Sequence, residues 1–179
     1  HIIRANPDRE NISYAVVPTL NKDHSLSSLV TDTSTEPLRL DSNGALPVWR
    51  PGLPLPVPAI VFCRTRAETQ RINDIVTRRA GRERAFYYHA GLPNERKKHV
   101  EAAFFESRDG ILAATCAYGM GVDKRDIRCV VHTYLPTTAE AFLQESGRAG
   151  RDRSPACSIV LIDPSDQASF ERKRKEGLL

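Results

Sequence analysis

Short apolar runs alternate with longer charged stretches along most of the chain. The short runs are rich in β-branched, aromatic and small apolar residues, and they occupy residues 59–63, 85–88, 110–114, 129–133 and 157–162. The longer stretches have helical periodicity, and they occupy about residues 67–80, 94–106, 138–147 and 165–175. This alternation is typical of strand-helix units, and nearly continuous apolar runs favour strands that are covered on both faces. The pattern predicts an α/β fold with an open parallel β-sheet and helices on both faces.

The first third of the chain has a different pattern. Residues 11–17 alternate polar and apolar side chains, which predicts a half-buried strand. Residues 24–58 contain six of the twelve prolines and many serines and threonines, without a sustained period. We therefore predict a first strand within residues 1–23, a Pro/Ser/Thr-rich loop or insertion at 24–58, and the main part of a single domain at 59–179. The proline-rich run at 54–58 is interpreted as a stiff spacer, with a ligand for another protein's aromatic groove as the alternative.

Length and composition are typical of globular proteins. A chain of 179 residues, with 40% hydrophobic and 27% charged residues, is expected to fold as one domain. No window approaches the ~18 consecutive apolar residues of a membrane span, and the first residues do not resemble a secretory signal. We therefore expect no membrane association, and a location in the bacterial cytoplasm or, in a eukaryote, in the nucleus.

Charge and cysteine usage narrow the function classes only slightly. Lysine and arginine number 26 against 22 aspartates and glutamates, and a net charge of +4 permits a nucleic-acid partner without demonstrating one. The four cysteines have no Cys-x-x-Cys spacing, and each lies in an apolar run. We predict that all four are buried reduced thiols, and we expect no bound metal.

The sequence has no glycine-rich phosphate loop of either common kind. Neither Gly-x-x-x-x-Gly-Lys-Ser/Thr nor Gly-x-Gly-x-x-Gly occurs in it. These loops supply the backbone amides that usually hold a triphosphate or a dinucleotide. A nucleotide bound here is therefore expected to be held mainly by something else.

Residues 144–152 read Gln-Glu-Ser-Gly-Arg-Ala-Gly-Arg-Asp and follow a predicted helix. Arg148 and Arg151 are three positions apart, so on a helical turn both guanidinium groups would point the same way. Arginine suits forked bonding to phosphate oxygens and can stabilise charge that develops on a γ-phosphate. The alternative for this segment alone is a solvated charged turn with glycines for chain reversal.

Residues 114–124 follow a predicted strand, so we expect them at the carboxyl edge of the sheet, where ligands collect. Thr115 could present its hydroxyl and amide groups to a phosphate, and Gly121 could allow close backbone approach. Asp123 could accept a hydrogen bond from a ribose hydroxyl. The alternative is that the glycines of this segment serve ordinary turns.

Two further predicted strands are followed by polar or basic residues. His89 lies in the Tyr-His-Ala-Gly-Leu run at residues 88–92, and an arginine and two lysines follow at 96–98, in the first turn of a helix. Cations oppose the positive end of the helix dipole, so phosphate contact would explain them, with solvated side chains as the alternative. Arg66 belongs to an Arg-Thr-Arg run after the strand at 59–63. Several such strand ends could follow a nucleic-acid backbone.

In order and spacing, these segments resemble the second RecA-like domain of superfamily-two helicases, and specifically the RecQ family. The resemblance covers residues 58–166, with a weaker likeness at residues 9–14. The segments at 88–92, 114–124 and 144–152 are together highly specific. DEAD-box RNA helicases are similar in plan, but they usually have His-Arg-Ile-Gly-Arg-Thr-Gly-Arg where this chain has Gln-Glu-Ser-Gly-Arg-Ala-Gly-Arg.

The resemblance implies a set of residues that serve ATP. Arg151 would be an arginine finger that reaches an ATP bound by the first motor domain, with Arg148 as its companion. Gln144 would face the cleft between the two motor domains, and Asp123 and Gly121 would lie near the ATP ribose or the cleft wall. ATP with Mg²⁺ would be held mainly by the first motor domain, so the isolated chain is expected to be inactive.

The resemblance also implies a set of residues that serve DNA. Thr115 would contact a DNA phosphate, and Arg66, His89 and Lys124 would lie on the DNA side. The implied function is that of the second motor domain of an ATP-dependent RecQ-like DNA helicase, of the kind used in DNA repair and recombination. It would act 3′ to 5′ on single-stranded or partly duplex DNA, together with the first RecA-like domain of the same protein.

Two other readings of the same residues stay open. The chain could be a non-catalytic nucleic-acid-binding or partner-docking domain that retains a helicase scaffold. It could also be a nucleotide-dependent enzyme of Rossmann type, which the missing glycine loop disfavours. Two residues depart from the pattern of the RecQ family. Tyr118 stands where phenylalanine is common, and Arg153 stands where glycine usually follows Arg-Asp.

Overall fold

The described residues form one main β-sheet, a small strand pair and five α-helices. The computed structural model describes residues 9–36, 38–39, 49–116 and 123–176. The strands are β1 (Ile12–Pro18), β2 (Thr33–Ser34), β3 (Leu55–Pro56), β4 (Ala59–Phe62), β5 (Ala85–Tyr88), β6 (Ile111–Ala114), β7 (Cys129–His132) and β8 (Ala156–Ile162). The helices are α1 (Lys22–Thr31), α2 (Arg66–Ala80), α3 (Asn94–Glu106), α4 (Ala139–Ser146) and α5 (Pro164–Lys175), with a short 3₁₀ turn at Arg82–Arg84.

Six parallel strands make up the main sheet, in the order β1-β8-β7-β4-β6-β5, and β2 pairs separately with β3. The predicted α/β fold is confirmed, and the predicted strands and helices outside residues 24–58 are confirmed with ends that differ by at most one residue. The central strands β4, β6 and β7 are wholly buried, which explains their uninterrupted apolar runs. The edge strand β1 is buried only at its start and then alternates, as its sequence indicates.

Apolar side chains pack on both faces of this sheet. On one face, α1 and α2 contribute residues such as Leu26 and Ile72 to a core with the strands. On the other face, Phe104 of α3 and Ala149, which follows α4, pack against the sheet. Within the residues described, no helix has the length and apolar character that crossing a bilayer requires.

The prediction of an irregular loop at residues 24–58 was wrong for its first part. Helix α1 begins before this stretch and continues to Thr31, and the side chain of Asn21 caps it by accepting from the amide of His24 at 3.0 Å. Only Leu26 and Val30 of this helix are buried. Two apolar contacts in ten mostly polar residues are too few to produce a clear helical period.

A tryptophan in the same stretch belongs to the core. Trp49 is 1% exposed, and its indole Nε1 donates to the carbonyl of Pro54 at 3.2 Å. It packs in the same cluster as Leu26 and Leu55. The described parts of residues 24–58 are therefore joined to the domain by burial, although residues 37 and 40–48 lie outside the description.

Three of the four cysteines are buried free thiols, as predicted. These are Cys63, Cys129 and Cys157, and the sulfur atoms of Cys129 and Cys157 are 3.3 Å apart on neighbouring strands. Burial raises the pKa of the Cys63 and Cys129 thiols. The prediction was wrong for Cys116, which is exposed, because the chain has already left β6 at this position.

Replacing Trp49 with alanine tests whether the proline-rich stretch supports the fold. We expect Trp49→Ala to lower the free energy of unfolding by about 3 to 5 kcal/mol, because it removes a large buried ring. Urea denaturation followed by far-UV circular dichroism measures the change, since Trp49 is the only tryptophan and its fluorescence is lost. The matched control is Leu20→Ala at a side chain that is 92% exposed, with an expected change below about 0.5 kcal/mol. Equal effects of the two substitutions would contradict a role of Trp49 in the core.

Candidate functional site

The candidate residues lie at two opposite edges of the sheet. Thr115 and His89 follow β6 and β5 at the carboxyl edge, where the amide of Thr115 donates to the carbonyl of Tyr88 at 3.2 Å. The arginine-bearing segment lies at the amino edge, because the amide of Gly150 donates to the carbonyl of Ile127, just before β7, at 2.8 Å. The sheet therefore separates the arginine segment, residues 144–152, from Thr115 and His89.

Residues 114–124 were expected together at the carboxyl edge, and this was wrong for Asp123 and Lys124. Asp123 contacts Arg151, which lies shortly before the amino end of β8. Cys116 and Asp123 therefore lie at opposite edges of the sheet. Gly121, a predicted cofactor contact, lies in this interval and outside the described residues.

The two arginines of the segment point into different surroundings. Arg148 is buried, whereas Arg151 keeps a third of its side chain exposed. Helix α4 ends at Ser146, and Gly150 has a φ of +56°, so the two arginines do not share a helical turn. The expectation that both guanidinium groups point the same way is therefore not met, because it assumed helical spacing.

Arg151 is bound to the exposed carboxylate of Asp123. Arg151 Nη1 donates to Asp123 Oδ1 at 2.9 Å, and Arg125 Nε donates to Asp123 Oδ2 at 2.9 Å. Arg125 and then Arg151 hold the pKa of Asp123 below its ordinary value. Ion pairs this open to water are weak, so Arg151 is available to exchange Asp123 for another anion.

A buried polar cluster anchors the end of α4, next to the arginines. Glu145 accepts from the Tyr134 hydroxyl at 2.9 Å, and its other carboxylate oxygen lies 3.1 Å from Nε2 of His132. His132 ends β7, is completely buried and stacks against the ring of Phe62. Burial, followed by the bond to Glu145, raises the pKa of Tyr134. The cluster ties the arginine segment to the central strands.

Sequence reasoning missed this cluster, although one signal was present. Glu145 lies inside the segment 144–152, beside an exposed Gln144, and a carboxylate facing a predicted sheet requires a donor. His132 lay unremarked within a predicted strand. Gln144 itself is exposed on α4, which leaves its predicted position at a cleft untested.

At the carboxyl edge, three predicted residues come together. The Arg66 side chain lies against Gly91, where an added Cβ would be 2.7 Å from Arg66 Nη1. His89 is buried beside them, and neither ring nitrogen has a hydrogen-bond partner among the described residues. Burial, followed by the charges of Arg66 and Lys97, lowers the pKa of His89 and favours a neutral imidazole. Thr115 lies half-buried at the same edge.

Lys124 does not lie with these residues, although it was predicted on the DNA side. Its ammonium is almost completely buried and donates to the carbonyls of Phe105 and Ser107 at 2.9 and 2.8 Å. It also pairs with Asp126 at 3.0 Å. A cation suits the carbonyl end of α3, so the geometry gives Lys124 a structural role. Contact with DNA would require it to leave these acceptors.

No acidic or cysteine-histidine cluster suited to a metal ion is formed by the described residues, which span 9–36, 38–39, 49–116 and 123–176.

Arg153 has a backbone conformation that favours glycine. Its φ of +66° is left-handed, and it is the one non-glycine residue with positive φ in the described chain. A side chain in this region meets the following carbonyl, which costs roughly 1 to 2 kcal/mol. The amide of Arg153 donates to the carbonyl of Gly150 at 2.9 Å, so the turn holds the strained residue in place.

Sequence comparison places the chain near DNA helicases. Residues 56–153 match the family of the helicase conserved C-terminal domain, which is more than half of the chain. The probable ATP-dependent DNA helicase RecS of Bacillus subtilis (strain 168) is 43% identical over 109 residues, covering 61% of this chain and 22% of that protein. The ATP-dependent DNA helicase RecQ of the same organism is 32% identical over 182 residues, covering 95% and 26%. The chain thus spans only about a quarter of the length of each of these two relatives.

A solved structure confirms the architecture. The second helicase domain of the DEAD-box protein Mss116p, bound to an RNA duplex, aligns with a TM-score of 0.62 over 93% of this chain and 59% of that chain. The sequence identity is 16%, so this likeness concerns the RecA-like fold alone.

Titration of Asp123 tests the pairing at the amino edge. Because its folded-state pKa is lowered, the pairing is present above the ordinary aspartate pKa and is lost as pH falls through the lowered value. We expect NMR titration to show this low pKa, with a larger rise in Arg125→Ala than in Arg151→Ala. Arg79→Ala, whose arginine bonds to Ser27 instead, is the control and should leave the pKa unchanged. An unshifted pKa in the wild-type protein would contradict the pairing.

Returning glycine to position 153 tests the strained turn. Arg153→Gly should raise the free energy of unfolding by about 0.5 to 1 kcal/mol, since relief of left-handed strain exceeds the added flexibility of the unfolded chain. Urea denaturation measures the change. Arg153→Ala keeps the Cβ and removes only the charge, so no comparable gain is expected from it. Equal gains in both variants would assign the effect to charge repulsion instead.

Proposed function

This chain belongs to the helicase conserved C-terminal domain family, in its RecQ-like branch, and we propose that it is the second motor domain of an ATP-dependent DNA helicase. In this proposal Arg151 is the arginine finger for an ATP held by the first RecA-like domain of the same protein. The observation that supports it is the state of Arg151, which is open to solvent and bound to one exposed carboxylate within the described residues. A phosphate brought to this edge could replace Asp123, because guanidinium groups bind phosphate in a forked geometry.

The proposal leaves the main binding of ATP and Mg²⁺ to the first motor domain. The sequence has no glycine-rich phosphate loop, and the described residues form no cluster suited to a metal ion. Arg148, buried within the same segment, would support the finger, while Gln144 and Asp123 would face the cleft. The isolated chain is accordingly proposed to lack ATPase activity.

The opposite edge is proposed to contact DNA. Arg66, His89 and Thr115 lie together there, and a guanidinium, a hydroxyl and backbone amides are the groups that bind phosphate backbones. Lys124 is left out of this set because its ammonium is bonded elsewhere. The DNA would be single-stranded or partly duplex, and the 3′ to 5′ direction rests on the family alone.

Removing the proposed finger tests the function. In the full-length protein, Arg151→Ala should lower the DNA-stimulated ATP turnover by about 10³- to 10⁵-fold, the range found for arginine fingers. Steady-state ATPase assays measure the loss, and circular dichroism checks that the fold is retained. Arg125→Ala is the matched control, because it removes another exposed arginine from the same carboxylate and should keep turnover close to wild type.

Near-normal turnover in Arg151→Ala would refute the finger assignment. That result would favour a non-catalytic domain that keeps the helicase scaffold for nucleic-acid binding or docking. Activity of the isolated 179-residue chain would refute the division of labour between the two motor domains.

A further inference from the structure

Two side chains that precede β1 bind the backbone of the arginine segment. Arg9 Nη1 donates to the carbonyl of Gly147 at 3.3 Å, and Arg9 Nη2 donates to those of Ala149 and Gly150 at 3.2 and 2.6 Å. Asn11 Nδ2 donates to the carbonyls of Gly150 and Ser154 at 2.8 and 2.9 Å. Together they contact four carbonyls between residues 147 and 154.

Residues 147–154 need such donors because they belong to neither a helix nor a strand. The last carbonyls of a helix have no partner inside the helix, and those of an irregular turn that follows it are in the same position. A guanidinium carries five donors in a planar fork, so one side chain can serve three carbonyls at once. The amine of a lysine offers its donors from a single atom and cannot reproduce this geometry.

Asn11 packs closely against Gly150, and the backbone of Arg9 and Asn11 is itself held by hydrogen bonds. An added Cβ at Gly150 would lie 2.5 Å from Asn11 Nδ2 and 2.7 Å from the carbonyl oxygen of Ser154. The amide of Ile12 donates to the carbonyl of Arg9 at 2.8 Å, and the amide of Ala156 donates to that of Asn11 at 2.9 Å. The donors are thus attached to the starts of β1 and β8, and they hold the segment against the sheet.

Arg151 lines the same cleft as Arg9 and Asn11. A cleft of about 570 Å³ is lined by Arg9, Glu10, Asn11, Arg151 and Arg153. The side chain of Arg151 and the donors that bind the main chain next to it therefore line one cleft. Arg9 and Asn11 themselves are turned toward backbone oxygens.

We propose that Arg9 and Asn11 are positioning residues for Arg151, holding the main chain at residues 147–150 so that the guanidinium extends toward the nucleotide cleft. The inference rests on the proposed function, since it needs Arg151 to act on ATP. Arg9 and Asn11 act through Arg151, not on the nucleotide. A shift of about 1 Å in a group that acts on a reacting centre can lower a rate about 10²-fold, so loss of these donors affects turnover strongly.

The first experiment compares kcat with KM in the full-length protein. Arg9→Ala and Asn11→Asp should each lower kcat of the DNA-stimulated ATPase by about 10²-fold, with little change in KM for ATP or in DNA affinity. Asn11→Asp keeps the shape of the side chain and replaces the donor with an acceptor facing two carbonyls. Arg9→Lys keeps the charge and loses the fork, so it should fall between Arg9→Ala and wild type. Unchanged kcat in Arg9→Ala would overturn the proposal.

A double mutant separates positioning from general stability. If Arg9 acts through Arg151, adding Arg9→Ala to Arg151→Ala should lower kcat no further. A further loss equal to that of Arg9→Ala alone would overturn the proposal. If Arg151→Ala by itself leaves turnover normal, the proposed function fails; if it abolishes turnover while Arg9→Ala does not, only the positioning role fails.

Arg84 offers a matched control at the same edge of the sheet. It is also partly buried and donates to the carbonyl of Asp109 at 3.2 Å and to the Thr33 hydroxyl at 2.7 Å, with no contact to residues 147–154 among its bonds. Arg84→Ala should destabilise the domain and leave kcat of the folded protein near wild type. A loss of kcat in Arg84→Ala as large as in Arg9→Ala would overturn the proposal, because it would show general destabilisation.

Discussion

The parallel direction of all six strands is the constraint on which the arrangement of this domain depends. In a parallel sheet, every connection must carry the chain from the carboxyl end of one strand back to the amino end of the next. The segments between strands therefore begin at one edge and end at the other. Thr115 and His89 stand at the start of two such connections, whereas Asp123 lies later in the connection that Thr115 begins and Arg151 lies late in the next one. Two separate groups of residues, one at each edge of the sheet, follow from this topology.

The arginine segment combines a fixed backbone with a movable side chain. Its carbonyls are bound by Arg9 and Asn11, and the buried Glu145 anchors the helix before it. Arg151, in contrast, is tied to an exposed carboxylate across a weak, screened contact. Such a combination suits a group that must be presented at a defined place and exchange its partner there. Arg153 adopts a left-handed backbone conformation that is unfavourable for a residue with a Cβ, so the turn is maintained in spite of this strain.

The fold by itself does not decide the substrate. A related RecA-like domain at 16% identity was solved with an RNA duplex, while the relatives at 32% and 43% identity are DNA helicases. This chain differs from that domain in the side chains that the same fold carries. Glu145 takes part in a buried network with His132 and Tyr134. A residue of the segment that identifies the family therefore also anchors the end of helix α4 to the sheet.

The sequence by itself determined the strands and helices of the main sheet, because burial on both faces leaves an uninterrupted apolar signal in β4, β6 and β7. It also identified the segments that carry Thr115 and Arg151, since their residue types and order are specific. It did not reveal helix α1, whose buried apolar residues are few and separated by polar ones, or the burial of Trp49, which packs in one cluster with distant residues such as Leu26. Only the tertiary structure decided which residues share an edge, that Lys124 is buried, and that Arg9 holds a segment 138 residues or more away. Local periodicity records which side of an element is buried, but the partners of a hydrogen bond between distant segments are set only when the chain has folded.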